Sequence, residues 1–316
     1  MNTPSTWKYA NKWQTAFFTI WSGQAFSLFG SMLVSFTLIW WLTKPTGSAP
    51  VLATASLVGL LPQILLGPVS GTLVDRWNRR IVMIVADSLI ALATLVLALL
   101  FLTGRVQIWH VYVLMAVRSV AGGFHWPAMT ASTSLMVPSQ HLSRIQGLNQ
   151  MLQGGMSIFS APLGALLLEW LPIAGILAID VVTALIAVLP LLFIPVPQPV
   201  SQAQANEPKT SFWFEFKAGF RYAFSWPGLM LIGLMATLIN LLLSPGFSLL
   251  PILVTKHFNG QAFQLAWVES AMGLGIIIGG LTLSVWGGFK RRILTSLVGV
   301  LGTGLGCLGI ALVPGS

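Results

Sequence analysis

The segment GTLVDRWNRR, residues 71–80, places one Asp and three Arg within ten residues. The whole chain has only 16 Lys and Arg and 7 Asp and Glu among 316 residues, and apolar runs flank this segment on both sides. A carboxylate is stabilised by a neighbouring Arg or by the positive amino end of a helix. Because such a contact can form in one conformation and break in another, the segment predicts a conformational latch around Asp75.

Two glycines precede the ionic residues and belong to the predicted latch. Gly67 and Gly71 are four residues apart, so on a helix they form a small face against which another helix can pack closely. Asn78 tolerates the left-handed backbone conformation that a turn requires. The alternative is that the arginines only anchor to lipid headgroups, which leaves Asp75 unexplained. The predicted latch comprises Gly67, Gly71, Asp75, Arg76, Arg79 and Arg80.

Ionisable residues are rare inside the apolar runs, where charge is costly. They are Asp87, Arg118, Asp180 and Glu269. Since burial favours the neutral form of a carboxyl, Asp87 and Asp180 are proton-coupling candidates, together with Arg118. Arg118 and Asp180 lie ~17 and ~12 Å below the outer surface, so they could pair, whereas Asp87 lies too deep to reach Arg118. The alternatives are structural hydrogen bonds for the two aspartates and a position near the outer surface for Glu269.

Polar or small residues recur at helical spacing in three runs, so each run carries them on one face. Lipid penalises such a face, which should therefore contact protein or a water-filled cavity. From these runs and the seventh run we predict a substrate cavity formed by Gln24, Ser31, His125, Gln150, Gln153 and Asn240. The alternatives are helix packing for the small residues and a packed polar role for His125.

The composition is that of an integral membrane protein. Hydrophobic residues make up 55% and charged residues 7%, with a mean hydropathy of +0.84, whereas a soluble domain carries about 25% charged residues. Nine apolar runs are long enough to span a membrane as helices. They cover roughly 17–43, 50–74, 81–103, 107–134, 145–169, 172–195, 227–252, 263–287 and 293–313. An all-α membrane protein with about nine transmembrane helices is therefore predicted.

The positions of Lys and Arg predict the orientation of these helices. Twelve fall on one side of the predicted membrane and three on the other, and cytoplasmic loops carry the excess of positive charge. The amino terminus is thus predicted to be cytoplasmic. The net charge of +9 lies where it would contact membrane lipid, and no nucleic-acid partner is expected.

A hydrophilic stretch at 196–226 divides the chain into six helices and then three. We predict an N-terminal six-helix half at 1–195, a cytoplasmic linker at 196–226 and a partial C-terminal half at 227–316. The aromatic and basic end of the linker suits a helix on the membrane surface, with a simple continuation of the linker as the alternative. GPVSGTLVDRWNRRI (67–81) aligns with GGLTLSVWGGFKRRI (279–293), as in transporters built from two related halves. On this alignment about three helices, roughly 90 residues, are missing after Ser316.

The sequence lacks the motifs of the common enzyme and metal sites. There is no GxxxxGK[ST] for a nucleotide-driven motor, and neither HExxH nor GxSxG occurs. Four scattered His and the single Cys307 provide no metal-ligand spacing. We expect neither an enzyme nor a metalloprotein, and no cofactor beyond a proton gradient as the energy source.

GTLVDRWNRR resembles the loop signature of the major facilitator superfamily, with Asn78 where that family usually has Gly. MAVRSVAGG (115–123) resembles the helix-4 Arg motif of its drug antiporters, and SAPLGALL (160–167) is a looser match to a helix-5 motif. FTIWSGQAFSL, VRSVAGGFHWPA and AIDVV are similar to stretches of bacterial macrolide-efflux proteins in that superfamily. The resemblance implies a twelve-helix fold, alternating access and a bacterial cytoplasmic membrane. It also implies that Asp75 docks on the amino end of helix 11 and that Arg118 serves proton coupling.

The leading expectation is a proton-driven exporter of hydrophobic, macrolide-like drugs. Export of another amphipathic compound, such as a siderophore, is an alternative within transport. A truncated remnant without transport, or a helper in a transport complex, is an alternative of another class. The expected partners are a hydrophobic small molecule and membrane lipid, and the sequence indicates no particular protein partner.

Overall fold

The computed structural model describes residues 12–198, 217, 221, 224–286, 289 and 292–312. Within these residues the chain forms nine long α-helices, each coinciding with one predicted apolar run. They are α1 Trp13–Thr46, α2 Ala49–Arg76, α3 Arg79–Leu102, α4 Ile108–Met136, α5 Leu142–Trp170, α6 Ile173–Phe193, α7 Pro227–Ile252, α8 Ala262–Trp286 and α9 Arg292–Leu312. A 3-10 turn at Ser139–His141 precedes α5, and a π-helical turn at Leu253–His257 follows α7. The all-α prediction is confirmed.

Seven helical segments of the described chain are long and apolar enough to cross a membrane, and they belong to α1, α2, α3, α5, α6, α7 and α8. The polar residues of α4, among them Arg118 and His125, lower its hydropathy. Large apolar side chains such as Leu60, Ile64 and Leu92 are exposed on the outside of the bundle. An apolar exterior of this extent indicates embedding in lipid, so the chain is a multi-pass membrane protein.

The turn between α2 and α3 depends on Asn78, which caps α3. Its Oδ1 accepts hydrogen bonds from the backbone N–H groups of Arg80 at 3.1 Å and Ile81 at 3.4 Å. The prediction of a left-handed backbone at Asn78 is wrong, because its φ is −69° and its ψ is 107°. Asn suits this position as a helix N-cap, which satisfies otherwise unpaired N–H groups of the first turn.

The six helices α1 to α6 form one bundle. α2 packs on α4, α4 on α3, α3 on α6, α6 on α1 and α1 on α5. Gly23 and Gly30 permit the close contact of α1 with α6. A Cβ on Gly23 would lie 2.9 Å from the backbone O of Ile186, and a Cβ on Gly30 would meet Thr183 Oγ1. Small residues of this kind bring helix backbones together in a membrane.

Close helix packing at Gly67 and Gly71 stays a prediction. A Cβ on either residue would meet no atom within 4 Å among the described residues. α2 packs on α4 through another face, where Gly123 lies against Gln63. Gly71 borders an open groove beside Asp75.

The interior of the bundle has a polar middle between two apolar clusters. One apolar cluster lies toward the amino end of α1 and includes Phe17, Met83, Met136 and Leu191. The other lies toward the carboxyl end of α1 and includes Leu38, Leu97, Leu114 and Leu177. Between these clusters along the helices lie buried polar residues that include Gln24, Asp87, His125 and Asp180.

Two later helices pack on this bundle. α7 contacts α2, and α8 contacts α5. The α5–α8 contact is close, because a Cβ on Gly273 would lie 3.1 Å from the backbone N of Ile158. Ser270 Oγ also donates a hydrogen bond to the Ile158 carbonyl at 2.7 Å. The described residues of α9 are mostly exposed, including Cys307.

The division of the chain at 1–195, 196–226 and 227–316 stays a prediction. Most of the segment 196–226, including the predicted surface helix, lies outside the described residues. On either side of it, α1 to α6 share one bundle, whereas α7 and α8 contact that bundle mainly through α2 and α5.

Candidate functional site

Two polar clusters lie inside the six-helix bundle, and three helices contribute one residue to each cluster. The Asp87 cluster consists of Gln24 from α1, Asp87 from α3 and His125 from α4. The Asp180 cluster consists of Ser31 from α1, Thr94 from α3, Arg118 from α4 and Asp180 from α6. On α1, α3 and α4 the two members are seven residues apart, which corresponds to two helical turns or about 10 Å.

The Asp180 cluster is built around an ion pair. Arg118 Nη1 lies 2.8 Å from Asp180 Oδ2, and the two side chains are 13% and 1% exposed. Thr94 donates a hydrogen bond to the same oxygen at 3.2 Å, and Ser31 Oγ donates to Asp180 Oδ1 at 3.1 Å. Arg118 Nη2 donates to the Ser31 carbonyl at 2.9 Å. Arg118 and Asp180 are therefore in contact, as their similar depth in the membrane allowed.

The hydrogen bonds around Asp180 all come from donors that match a carboxylate. The guanidinium is donor-only and stays protonated, so it complements a carboxylate and offers no acceptor to a carboxylic acid. Removing one member of a buried ion pair leaves the other charge uncompensated. The Asp180 cluster therefore resembles a fixed structural joint between α1, α3, α4 and α6.

The Asp87 cluster contains no Lys or Arg among its described contacts. Gln24 Nε2 donates a hydrogen bond to Asp87 Oδ2 at 2.9 Å. His125 Nε2 lies 3.4 Å from Asp87 Oδ1, within ion-pair range but without hydrogen-bond geometry. All three side chains are buried, and Gln24 Oε1 has no hydrogen-bond partner among the described residues.

The neighbours of Asp87 suit both of its protonation states. A glutamine amide offers N–H donors to a carboxylate and a carbonyl acceptor to a carboxylic acid. A neutral imidazole likewise offers one donor and one acceptor. The neighbours of Asp87 therefore offer hydrogen-bond partners to a carboxylate and to a carboxylic acid, unlike those of Asp180.

The loop between α2 and α3 binds the rest of the bundle through Arg79 and Arg80. Arg79 is buried, and it donates from Nη2 to Asp75 Oδ1 at 3.0 Å and from Nη1 to the Ala131 carbonyl of α4 at 3.2 Å. Arg80 donates from Nε to the Leu191 carbonyl and from Nη2 to the Leu192 carbonyl. These carbonyls belong to the last turn of α6, where acceptors otherwise lack partners.

Asp75 forms the exposed part of the predicted latch. It lies at the end of α2, and its side chain is 70% exposed although it pairs with Arg79. Arg76 is the last residue of α2. Gln198 reinforces the turn, since its Oε1 accepts from the Arg79 backbone N–H and its Nε2 donates to Asn78 Oδ1, each at 3.3 Å. The loop is thus firmly bound on its α4 and α6 side and open at Asp75.

A cavity of about 370 Å³ lies between the first bundle and the later helices. Residues of α1, α2, α4, α7 and α8 line it, so both groups of helices contribute to its wall. Its ionisable lining residues are Arg118 and Glu269. Hydroxyl and amide groups are provided by Ser35, Ser56, Gln63, Ser119 and Ser248.

The structure does not bring the predicted substrate-contacting residues to this cavity. Gln24, Ser31 and His125 lie inside the bundle. There Gln24 and His125 contact Asp87, and Ser31 contacts Asp180. Gln150 and Asn240 are exposed, and Gln153 is half-buried outside the cavity wall. Asn240 Nδ2 donates to the Ala236 carbonyl of its own helix. A stripe of polar residues shows which face of a helix is polar, but that face can contact other protein side chains instead of a substrate.

Glu269 is the functional candidate that sequence reasoning underrated. It lies seven residues into α8, about 10 Å along the helix, and its side chain reaches the cavity. The available signal was its place among the few ionisable residues within apolar runs. Its position near a run end favoured the outer surface as an alternative location.

The membrane-spanning helices, the buried polar clusters and the cavity between two groups of helices are features of a membrane transporter. The family model of the Major Facilitator Superfamily matches residues 20–316. The chain belongs to this superfamily.

Within the superfamily, the chain is similar to macrolide efflux proteins. Macrolide efflux protein A of Streptococcus pyogenes is 35% identical over 306 residues, which cover 97% of this chain and 75% of that protein. Macrolide efflux protein A of Enterococcus faecalis is 34% identical over 270 residues, covering 85% of this chain and 83% of that protein. The enterobactin exporter EntS of Escherichia coli O1:K1 is 26% identical over 247 residues, which cover 78% of this chain and 58% of that protein. These relationships confirm the predicted family resemblance.

Proposed function

We propose that the chain exports hydrophobic, macrolide-like drugs across a bacterial cytoplasmic membrane, driven by inward proton flow. The observation that carries this proposal is the 35% identity to macrolide efflux protein A over 97% of the chain. The cavity between the two groups of helices supports it, since a carrier needs a substrate site that both groups enclose. In this proposal the amino terminus is cytoplasmic.

Proton coupling is assigned to Asp87, with the Asp180 cluster as its fixed support. Asp87 lacks a described cationic partner, and Gln24 and His125 can accommodate either protonation state. Arg118 pairs with Asp180 and links the Asp180 cluster to the cavity wall, where it is a lining residue. A change of protonation at Asp87 therefore alters the charge of the bundle interior and leaves the Arg118–Asp180 joint intact.

The conformational change is assigned to the contacts between the two groups of helices. Alternating access in such folds is largely rigid-body movement of one helix group against another around a fixed site. α2–α7 and α5–α8 are the contacts that such a movement must alter. The exposed Asp75 lies on the α2–α3 loop, where it can bind the other helix group in one conformation and release it in another.

Drug accumulation in cells tests the proposal. Cells that express the protein from its full reading frame should hold less radiolabelled erythromycin than control cells, and a proton uncoupler should abolish the difference. The uncoupler separates proton-driven export from reduced permeability. Equal accumulation in expressing and control cells would contradict the exporter assignment and favour the remnant or helper alternatives.

Export of a siderophore is the second candidate, because the chain is 26% identical to an enterobactin exporter over 78% of its length. Secretion of enterobactin by cells that lack their own exporter distinguishes the two substrates. Restored secretion without any change in erythromycin accumulation would favour this candidate.

A further inference from the structure

We propose that the cavity between the two groups of helices binds an organic cation, and that the Glu269 carboxylate of α8 pairs with its protonated amine. This site rests on the proposed export function and specifies the substrate class as a large amphipathic molecule with one ammonium group. The charge and position of Glu269 and the chemistry of the cavity walls support the assignment.

Glu269 lines the cavity without a counterion among the described residues. Among the described residues it forms neither an ion pair nor a hydrogen bond. The cations that could approach it are engaged elsewhere: Arg118 binds Asp180, and the Lys256 side chain lies beside Gly47 at the α1–α2 turn. An unpaired carboxylate inside a membrane protein is costly. A bound ammonium group would supply the missing charge.

The position of Glu269 is fixed by its neighbours on α8. Ser270 donates its hydroxyl hydrogen bond to the Ile158 carbonyl of α5, and Gly273 lies against the α5 backbone. Leu265 and Ala266 are fully buried in the same contact region. Glu269 projects about 100° from Ser270 around the helix, and its side chain lines the cavity. Its carboxylate therefore stays on the cavity wall.

The cavity walls combine apolar surface with a few polar groups. Apolar lining residues include Ile39, Leu60, Met115 and Phe247, and hydroxyl groups come from Ser35, Ser56 and Ser248. Ligand sites are typically apolar concavities of ~300–1,000 Å³ with few polar groups that orient the ligand. The volume of about 370 Å³ falls in this range, and it suits the amine-bearing part of an amphipathic molecule.

The charge of the cavity favours a cation over an anion. Arg118 is neutralised by Asp180, so Glu269 contributes the uncompensated charge among the described lining residues. An anionic ligand would place a second negative charge near Glu269. A neutral ligand would leave the carboxylate desolvated and unpaired.

Equilibrium binding to the purified whole chain in lipid nanodiscs tests this site. The probes are radiolabelled erythromycin, which carries a protonated amine, and its N-demethyl-N-acetyl derivative, which carries none. Tetraphenylphosphonium serves as a permanent cation unrelated to macrolides. The variants are Glu269→Gln, which keeps the size of the side chain, and Glu169→Gln, a matched control at the exposed carboxyl end of α5.

We expect Glu269→Gln to weaken erythromycin binding by about tenfold or more, as for loss of a charge-assisted hydrogen bond. Binding of tetraphenylphosphonium should weaken through loss of the negative charge alone. Binding of the uncharged derivative should change little, and Glu169→Gln should match the parent for all probes. Equal weakening for charged and uncharged probes, or unchanged binding of both cations, would overturn the site. If the parent binds tetraphenylphosphonium through Glu269 but ignores erythromycin, the cation site stands and the macrolide assignment fails.

Discussion

Asp87 and Asp180 are carboxyl groups of one bundle, yet their neighbours assign them different chemistry. Asp180 is paired with a guanidinium and receives two hydroxyl hydrogen bonds. Asp87 contacts an amide and an imidazole. The difference predicts that the same substitution, Asp to Asn, affects folding at one position and energy coupling at the other.

Asp180→Asn should destabilise the folded protein by about 3–5 kcal/mol, because it leaves the buried Arg118 without a counterion. Two properties of the purified variant are measured, its thermal denaturation and its monodispersity in detergent. The double variant Arg118→Gln with Asp180→Asn should recover part of the loss, since it buries no unpaired charge. A single variant as stable as the parent would show that Asp180 does not compensate Arg118.

Asp87→Asn should retain folding and lose proton-driven transport. Asn has the size of Asp and remains a partner for Gln24, but it cannot exchange a proton. In proteoliposomes, uptake driven by an imposed proton gradient should fall to the level of protein-free liposomes. Exchange of labelled for unlabelled drug without a gradient should persist. Gradient-driven uptake equal to that of the parent would refute the assignment of coupling to Asp87.

At the scale of helices and loops, the α2–α3 turn has two sides with different tasks. Arg79 and Arg80 bind carbonyl groups of α4 and α6, which fixes the loop to the first bundle. Asp75 is 70% exposed and remains available to a second partner. Stability and transport should therefore respond to different residues of one short segment.

Asp75→Asn should leave stability within about 1 kcal/mol of the parent, since exposed ion pairs contribute little, but should reduce drug export. Arg79→Gln is the comparison, and it should lower the melting temperature because Arg79 is buried and bound to Ala131. Membrane insertion, melting temperature and drug accumulation are measured for both. Export by Asp75→Asn at the parental rate would return this loop to a role in topology alone.

Helix packing gives a matched glycine pair. Gly23→Ala should destabilise by about 1–3 kcal/mol through overpacking, because the added methyl meets the Ile186 carbonyl of α6. Gly67→Ala should be neutral or stabilise by about 0.5–1 kcal/mol, since Ala favours a helix and the space is open. Thermal denaturation distinguishes the two. Equal destabilisation would mean that another helix covers Gly67 in the native membrane.

The apolar runs of the sequence predicted where the helices lie, but the polar pattern did not predict what the helix faces contact. The nine apolar runs located the nine described helices, because lipid requires long apolar spans. Depth along a helix also allowed the pairing of Arg118 with Asp180. Periodicity assigned Gln24 and His125 to polar faces but did not reveal that Asp87 occupies them. Neighbouring helices in space decide this, and a linear pattern contains no such information.

At the scale of the whole molecule, the orientation in the membrane is testable with single cysteines. In a Cys307→Ser background, Glu169→Cys lies at the carboxyl end of α5 and Arg144→Cys near its amino end, and both positions are exposed. With a cytoplasmic amino terminus, a membrane-impermeant maleimide should label Glu169→Cys in intact cells. Arg144→Cys should react only after permeabilisation. The reverse pattern would invert the proposed orientation.

The seven-residue spacing that connects the Asp87 and Asp180 clusters restricts how the protein can move. If α3 slid past α1 by one turn, about 5.4 Å, it would break hydrogen bonds at two depths simultaneously. Because α1, α3 and α4 each contribute a residue to both clusters, the two clusters together resist sliding and rotation of these helices against one another. The four helices α1, α3, α4 and α6 should therefore move as one rigid body during transport, with the rearrangement confined to the contacts of the other helices.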